Sequence, residues 1–155
     1  MNSEENIDLE NSMAPWLGKT VKIIDCYLLE QFQLHNIDLT KEQMVVLKKL
    51  HITDGLNQNE LAYLTYKDKS SLTRLLTKME KKNYIFRTQS KEDKRVKNVY
   101  VTSLGSQVYK QSKPIIKKAI QKMEQSVSSE EKQQIIQILQ KIQSNFCPSQ
   151  DKQTN

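Results

Sequence analysis

One change of hydrophobic period constrains this 155-residue chain more than any other feature. From Leu17 to Met79, and again from Leu104 to Phe146, apolar residues recur at threes and fours, the spacing that gathers them on one face of a helix. Only Tyr84 to Gln89 and Val96 to Thr102 break that rhythm. Both are rich in aromatic and β-branched residues, and the purely polar Ser90-Lys91-Glu92-Asp93-Lys94-Arg95 separates them. That pattern predicts a hairpin with a charged tip. The expected fold is therefore mainly α with a small β-hairpin, in a chain long enough for one compact domain with a real core.

Local signals place the helices. A first one is expected from Pro15, which a first turn tolerates, with Leu17, Val21, Ile24, Leu28 and Phe32 on its stripe and Ile23, Tyr27 and Leu34 widening it. Thr40 to Gln43 has the form of a capping box and opens a second helix that stops near Thr53-Asp54-Gly55. Asn57 to Glu60 repeats that logic for a short third helix. Asp68 caps a fourth helix, which turns Leu72, Leu75, Leu76 and Met79 inward and ends near Asn83, a residue suited to a left-handed stop. After the hairpin a long helix starts at Thr102-Ser103; Pro114 inside it should remove one hydrogen bond and bend it. Ser128 to Glu131 caps a last helix, which Pro148 ends. Residues 1–14 and 147–155 show no apolar period and are expected to be flexible.

Charge is distributed unevenly. Residues 67–97 hold eleven Lys or Arg and four Asp or Glu, a local charge of +7, so the other 13 bases and 14 acids sum to −1 and the whole chain to +6. One fifth of the chain thus carries all the positive excess, which points to a polyanion partner. The N-terminus has neither the basic nor the apolar part of an export signal, and no apolar run reaches the roughly 20 residues of a membrane span. A cytoplasmic protein that does not enter the membrane is expected. Cys26 and Cys147 are far apart and have no zinc spacing, so reduced thiols, no metal and no cofactor are expected. The sequence shows no phosphate loop, His-Glu-x-x-His or nucleophile elbow, which argues against an enzyme.

Three central helices followed by a hairpin describe a winged helix-turn-helix. A tight turn holds the second of two short helices at a fixed angle, so that its outer face can enter the roughly 12 Å major groove of duplex DNA. Ser70, Ser71, Thr73 and Arg74 give that face small hydroxyls and a forked cation, and Arg95 at the hairpin tip suits the electronegative minor groove. Lys69 and Lys78 flank the same helix face and complete, with the wing residues Asp93 and Lys94, the candidate DNA-binding set.

Three stretches carry a resemblance: Leu-Asn-Gln-Asn-Glu-Leu-Ala-Tyr-Leu at 56–64, the segment from Lys67 to Ile85, and the segment from Lys91 to Gly105. The last is the most specific, with an Asp-x-Arg tip at Asp93-Lys94-Arg95 and a junction at Val101-Thr102-Ser103-Leu104-Gly105. At these residues the chain resembles the MarR family of regulators over roughly 15–146, departing from it mildly at Asn83, where glycine is frequent, and Val101, where leucine is usual. The resemblance implies that Ser70, Ser71, Thr73 and Arg74 face the major groove, that Asp93 orients Arg95 into the minor groove, and that Lys94 meets phosphate. It also implies a homodimer built from N- and C-terminal helices (15–36 and 103–146) around a winged-helix part at about 40–102, and a pseudo-palindromic DNA site. The apolar stripes on 17–34, 108–123 and 135–146 agree, because a lone domain of this size could not hide them.

A repressor tuned by a small-molecule effector is the expected function. Two rivals stand beside it: a winged-helix module that binds protein, and a thiol switch at Cys26. A packed thiol is the expected role of Cys26, an incidental one that of Cys147, and His35 and His51 are expected at helix ends, where they could line an effector pocket.

Overall fold

A computed structural model describes residues 7–147. Its elements run α1 (Met13–Leu34), α2 (Lys41–Ile52), α3 (Gln58–Thr65), α4 (Lys69–Lys81), β1 (Ile85–Gln89), β2 (Lys97–Val101), α5 (Ser103–Met123) and α6 (Ser129–Phe146). This is the mainly helical chain with one hairpin that the period change demands. No helix among the described residues is long and apolar enough to cross a membrane. The expected tail at 147–155 lies outside the described residues except for Cys147, as do Pro148 and residues 1–6 of the expected N-terminal segment.

Capping chemistry sets the helix starts. Thr40, Asn57 and Ser128 each accept a hydrogen bond from the backbone N–H three residues on, and the N3 side chain (Gln43, Glu60, Glu131) accepts one from the cap's own N–H. Two of the four donors orphaned at each helix start are thereby satisfied. The first helix starts at Met13, two residues before Pro15, behind a turn in which the Asn11 amide and side chain both donate to Asp8. Asn83 takes the left-handed conformation, φ 58°, expected of the stop after α4. Helix α3 instead ends on Tyr66 at φ 54°, a left-handed residue that carries no glycine-like signal in the sequence. Helix α5 continues unbroken past Pro114.

The chain divides into two compact units, Met1–Ala119 and Ile120–Asn155, with the break inside α5. The core of the first unit gathers Phe32 of α1, Val46, Leu47 and Leu50 of α2, Leu61 of α3, Leu72, Leu76 and Met79 of α4, Ile85 of β1 and Val99 of β2. Each such side chain contributes about 1.5–3 kcal/mol by leaving water. In the second unit, α6 buries none of its residues, and Ile135, Ile136, Ile138 and Phe146 stay exposed. Val21, Ile23, Leu29 and Leu34 of α1 are also exposed.

The hairpin is antiparallel, with Ile85 opposite Val101, Arg87 opposite Val99 and Gln89 opposite Lys97. Period two puts Ile85 and Arg87 on one face with Val99, and Phe86 on the other, where it stacks on Tyr100 at 5.3 Å. A third segment joins the sheet: the Gly55 and Val99 amides donate to Val99 and Leu56 carbonyls respectively, and Asn57 bridges Asn98. Gly55 makes this possible at φ 78°, since a Cβ there would lie 2.8 Å from the Tyr100 ring. The loop after α2, expected only as a turn, thus anchors the hairpin to the helices.

Candidate nucleic-acid interface

Asp68 starts the construction of the site. Its carboxylate accepts from the Ser71 backbone amide at 2.8 Å and from the Ser71 hydroxyl at 2.9 Å, which hold it below the usual carboxylate range and seat the first turn of α4. With Leu72, Leu75, Leu76 and Met79 buried at helical spacing, the opposite face of α4 is forced outward. Lys69, Ser70, Thr73, Arg74 and Lys78 are exposed there. Ser71 differs: it is half-buried and its hydroxyl proton is engaged by Asp68, so its first role here is in the cap. The Thr73 hydroxyl donates to the Lys69 carbonyl at 2.8 Å. A carbonyl can only accept, so in this arrangement the Thr73 oxygen is left with lone pairs alone, suited to the exocyclic amino groups of adenine or cytosine.

The wing tip is closed by its own backbone. Ser90 N–H donates to the Val96 carbonyl at 2.8 Å and Val96 N–H to the Asp93 carbonyl at 2.9 Å. Asp93 accepts from the Arg95 backbone amide at 2.9 Å rather than from its guanidinium, so it shapes the turn that displays Arg95. Lys94 and Arg95 are exposed.

Helix face and wing meet in one cleft of about 450 Å³, lined by Lys69, Thr73, Asp93, Arg95, Gln58, Asn59, Lys97, Arg87, Leu72 and Val96. Four of the nine candidate residues, Lys69, Thr73, Asp93 and Arg95, are thus brought together; Ser70, Ser71, Arg74, Lys78 and Lys94 do not line it. Gln58, Asn59 and Lys97 were missed by sequence reasoning. The first two opened α3 and were absorbed in its cap pattern, whereas Lys97 was visible as a cation flanking the wing tip.

The +7 segment is not uniformly free. Lys67 pairs with Glu42 at 3.1 Å, Lys82 with Asp38 at 2.7 Å and Arg87 with Glu80 at 2.6 Å. Arg87 draws the Glu80 carboxyl below its usual range, first through its side-chain hydrogen bonds. Burial and the nearby Asp38 push the Tyr84 phenol up, and its hydroxyl donates to the Asp38 carbonyl at 2.7 Å. These three cations tie elements of the scaffold together, whereas Lys69, Arg74 and Lys78 on α4 and Lys94 and Arg95 on the wing are exposed.

Away from the cleft, Cys26 is exposed. The expectation of a packed thiol is corrected: Leu28, two residues on, is buried, but Cys26 lies on the exposed side of α1 with Ile23. Cys147 is exposed as the C-cap of α6. His35 is the C-cap of α1, with its Nδ1 2.8 Å from the Gln31 carbonyl, and lines a cavity of about 490 Å³ with Ile37, Gln111, Pro114 and Lys118. His51, in the last turn of α2, packs on the Tyr109 ring at 5.1 Å and does not line that cavity.

Comparison with known proteins converges on these elements. A curated relative, the uncharacterized HTH-type transcriptional regulator YybA of Bacillus subtilis, is 22% identical over 140 residues, covering 88% of this chain and 89% of its own. The HTH-type transcriptional regulator SarZ of Staphylococcus epidermidis is 29% identical over 120 residues, 77% of this chain and 80% of its own. Among solved structures, the S. aureus MepR–DNA complex superposes with a TM-score of 0.79 at 25% identity, over 86% of this chain and 98% of that one. Residues 39–97 match the sequence profile of the MarR family, and they run from the start of the second helix through the recognition-helix candidate and the wing tip to Lys97. The elements that wall the cleft are those the profile describes, and over residues 39–97 the chain is similar to the MarR family.

Proposed function

We propose that the chain is a sequence-specific transcription regulator that binds double-stranded DNA as a homodimer, with α4 in the major groove and the wing tip in the adjacent minor groove. One observation carries the reading: the outward face of α4 and the wing tip share a single cleft in which Lys69, Thr73, Asp93 and Arg95 converge. Ser70, Arg74, Lys78 and Lys94, exposed beside it, extend the same surface. SarZ is named as a transcriptional regulator and MepR was solved on DNA, which supports the same reading.

The dimer is part of the proposal. The uncovered apolar residues of α1 and those of α6, which buries none of its residues, need a partner, and a second copy supplies the same surfaces. In this division 15–36 and 103–146 dimerise and 40–102 bind DNA. Two-fold symmetry then calls for a pseudo-palindromic site with half-sites about one helical turn apart. Repression by promoter occupancy in the cytoplasm, with a small effector shifting the spacing of the two recognition helices, completes the reading.

Selection from a random pool of duplex DNA tests it. The expected result is a recovered pseudo-palindromic motif whose affinity falls steeply between 50 and 200 mM salt, by roughly 10³-fold or more for six or more phosphate contacts. Failure to retain any duplex at low salt would remove the function and leave the protein-interaction alternative standing.

A further inference from the structure

The cation least available to DNA in the basic segment is the best connected residue in it. Arg87 stands on the inward face of β1, where period two places it beside Ile85 and opposite Val99. Its backbone amide donates to Glu80 Oε1 at 3.2 Å, while its Nε and one terminal nitrogen donate to Glu80 Oε2 at 3.2 and 2.6 Å. That terminal nitrogen also reaches the Thr77 hydroxyl at 3.3 Å, and the other reaches Gln58 Oε1 at 3.5 Å. Thr77 in turn donates to the carbonyl of Thr73, on the outward face of α4. A single guanidinium therefore ties the wing strand to the last turns of α4 and to the first turn of α3. Its side chain is only 13% exposed. A planar fork with five donors in fixed directions constrains the angle between its partners in a way a flexible ammonium does not.

We infer that Arg87 is a positioning residue for DNA recognition, which holds the wing at the angle to α4 that lets Arg95 reach the minor groove while α4 occupies the major groove. This rests on the proposed DNA-binding function and deepens it. Two rigid bodies that must enter neighbouring grooves together gain affinity only if their relative orientation is set beforehand. With the Arg87 fork removed, the wing still folds, because its register and its turn bonds are its own. Its tip is then no longer aimed, and the contribution of Arg95 is lost while that of Arg74 stays.

A pair of double-mutant cycles reads this coupling, using a duplex recovered by the wild-type protein from the random pool. Kd is measured for the wild type, Arg95→Ala and Arg74→Ala, and for each again in an Arg87→Met background, with thermal melting of every variant. The expected result is a tenfold or greater loss for Arg87→Met, after which Arg95→Ala costs less than a further twofold and Arg74→Ala keeps its full cost. Equal cost of Arg95→Ala in both backgrounds would overturn the inference, as would an equal shrinkage of both costs, the signature of a general loosening. Arg87→Lys, which keeps the charge without the fork, should recover less than half of the loss on a logarithmic scale. Should Arg87→Met not fold, Glu80→Gln carries the same cycles with the same expected asymmetry. If the wild type recovers no duplex, the inference falls together with the DNA-binding reading; if it does and the cycles are additive, the inference alone falls.

Discussion

The first turn of α5 passes so close to the carbonyl of Tyr84 that a Cβ built on Gly105 would lie 2.0 Å from its oxygen. Around it, the Thr102 hydroxyl donates to the Asn83 carbonyl at 2.6 Å and the Thr102 amide to the Tyr84 carbonyl at 3.0 Å, so both ends of the hairpin are sewn to the start of α5. Because the obstacle is backbone rather than a rotatable side chain, nothing nearby can yield cheaply. Gly105→Ala should therefore lose about 1–3 kcal/mol or more of stability, an overpacking cost. A urea midpoint unchanged from wild type would refute this account of the junction.

Acid should weaken the tie between the wing and α4. Arg87 holds the Glu80 carboxyl below its ordinary value of 4.5, so the folded state favours the ionised form. The pair's contribution is then fully present above about that ordinary value and is lost as pH falls through the depressed one. Glu80→Gln should be less stable than wild type at pH 7, and the gap between them should close on approaching pH 3. Urea titrations at the two pH values check the sign; a gap that widens in acid would contradict it.

Arg74 and Arg95 lie exposed on α4 and on the wing tip. Replacing either by Ala should weaken binding to the selected duplex by about 1–3 kcal/mol if the contact reads a base, with circular dichroism unchanged. Lys94→Ala, expected at phosphate, should weaken specific and random duplex alike and reduce the slope of log K against log salt by about 0.9. Unchanged affinity in both arginine variants would count against the interface.

Ile136 is exposed on α6 although it sits on that helix's apolar stripe. If a second copy covers it, Ile136→Glu should yield a folded monomer with much weakened affinity for the palindromic duplex. Light scattering decides: a wild-type protein that is already monomeric, or a variant that stays fully dimeric, would remove the dimer proposed from this face.

Much of the fold was legible because it is local. Thr40, Asn57, Asp68 and Ser128 start helices through bonds to residues three positions away, and Asn83 ends one by its own φ. The hairpin ends differ from expectation only by Tyr84, Val96 and Thr102, which flank the strands without joining them. The outward polar face of α4 follows from its inward one by helical geometry alone.

The sequence by itself therefore determined the elements, their caps and the concentration of positive charge on one helix and one hairpin. Only the tertiary structure decided which of those charges are available. It committed Arg87 to Glu80, and Lys82 to Asp38 across 44 positions, seated Gln58 and Lys97 beside Thr73 and Arg95, and left Cys26 uncovered. The reason is physical: capping and periodicity are set by neighbours within one turn of chain, whereas the pairing of a cation depends on which carboxylate the packed core brings within reach.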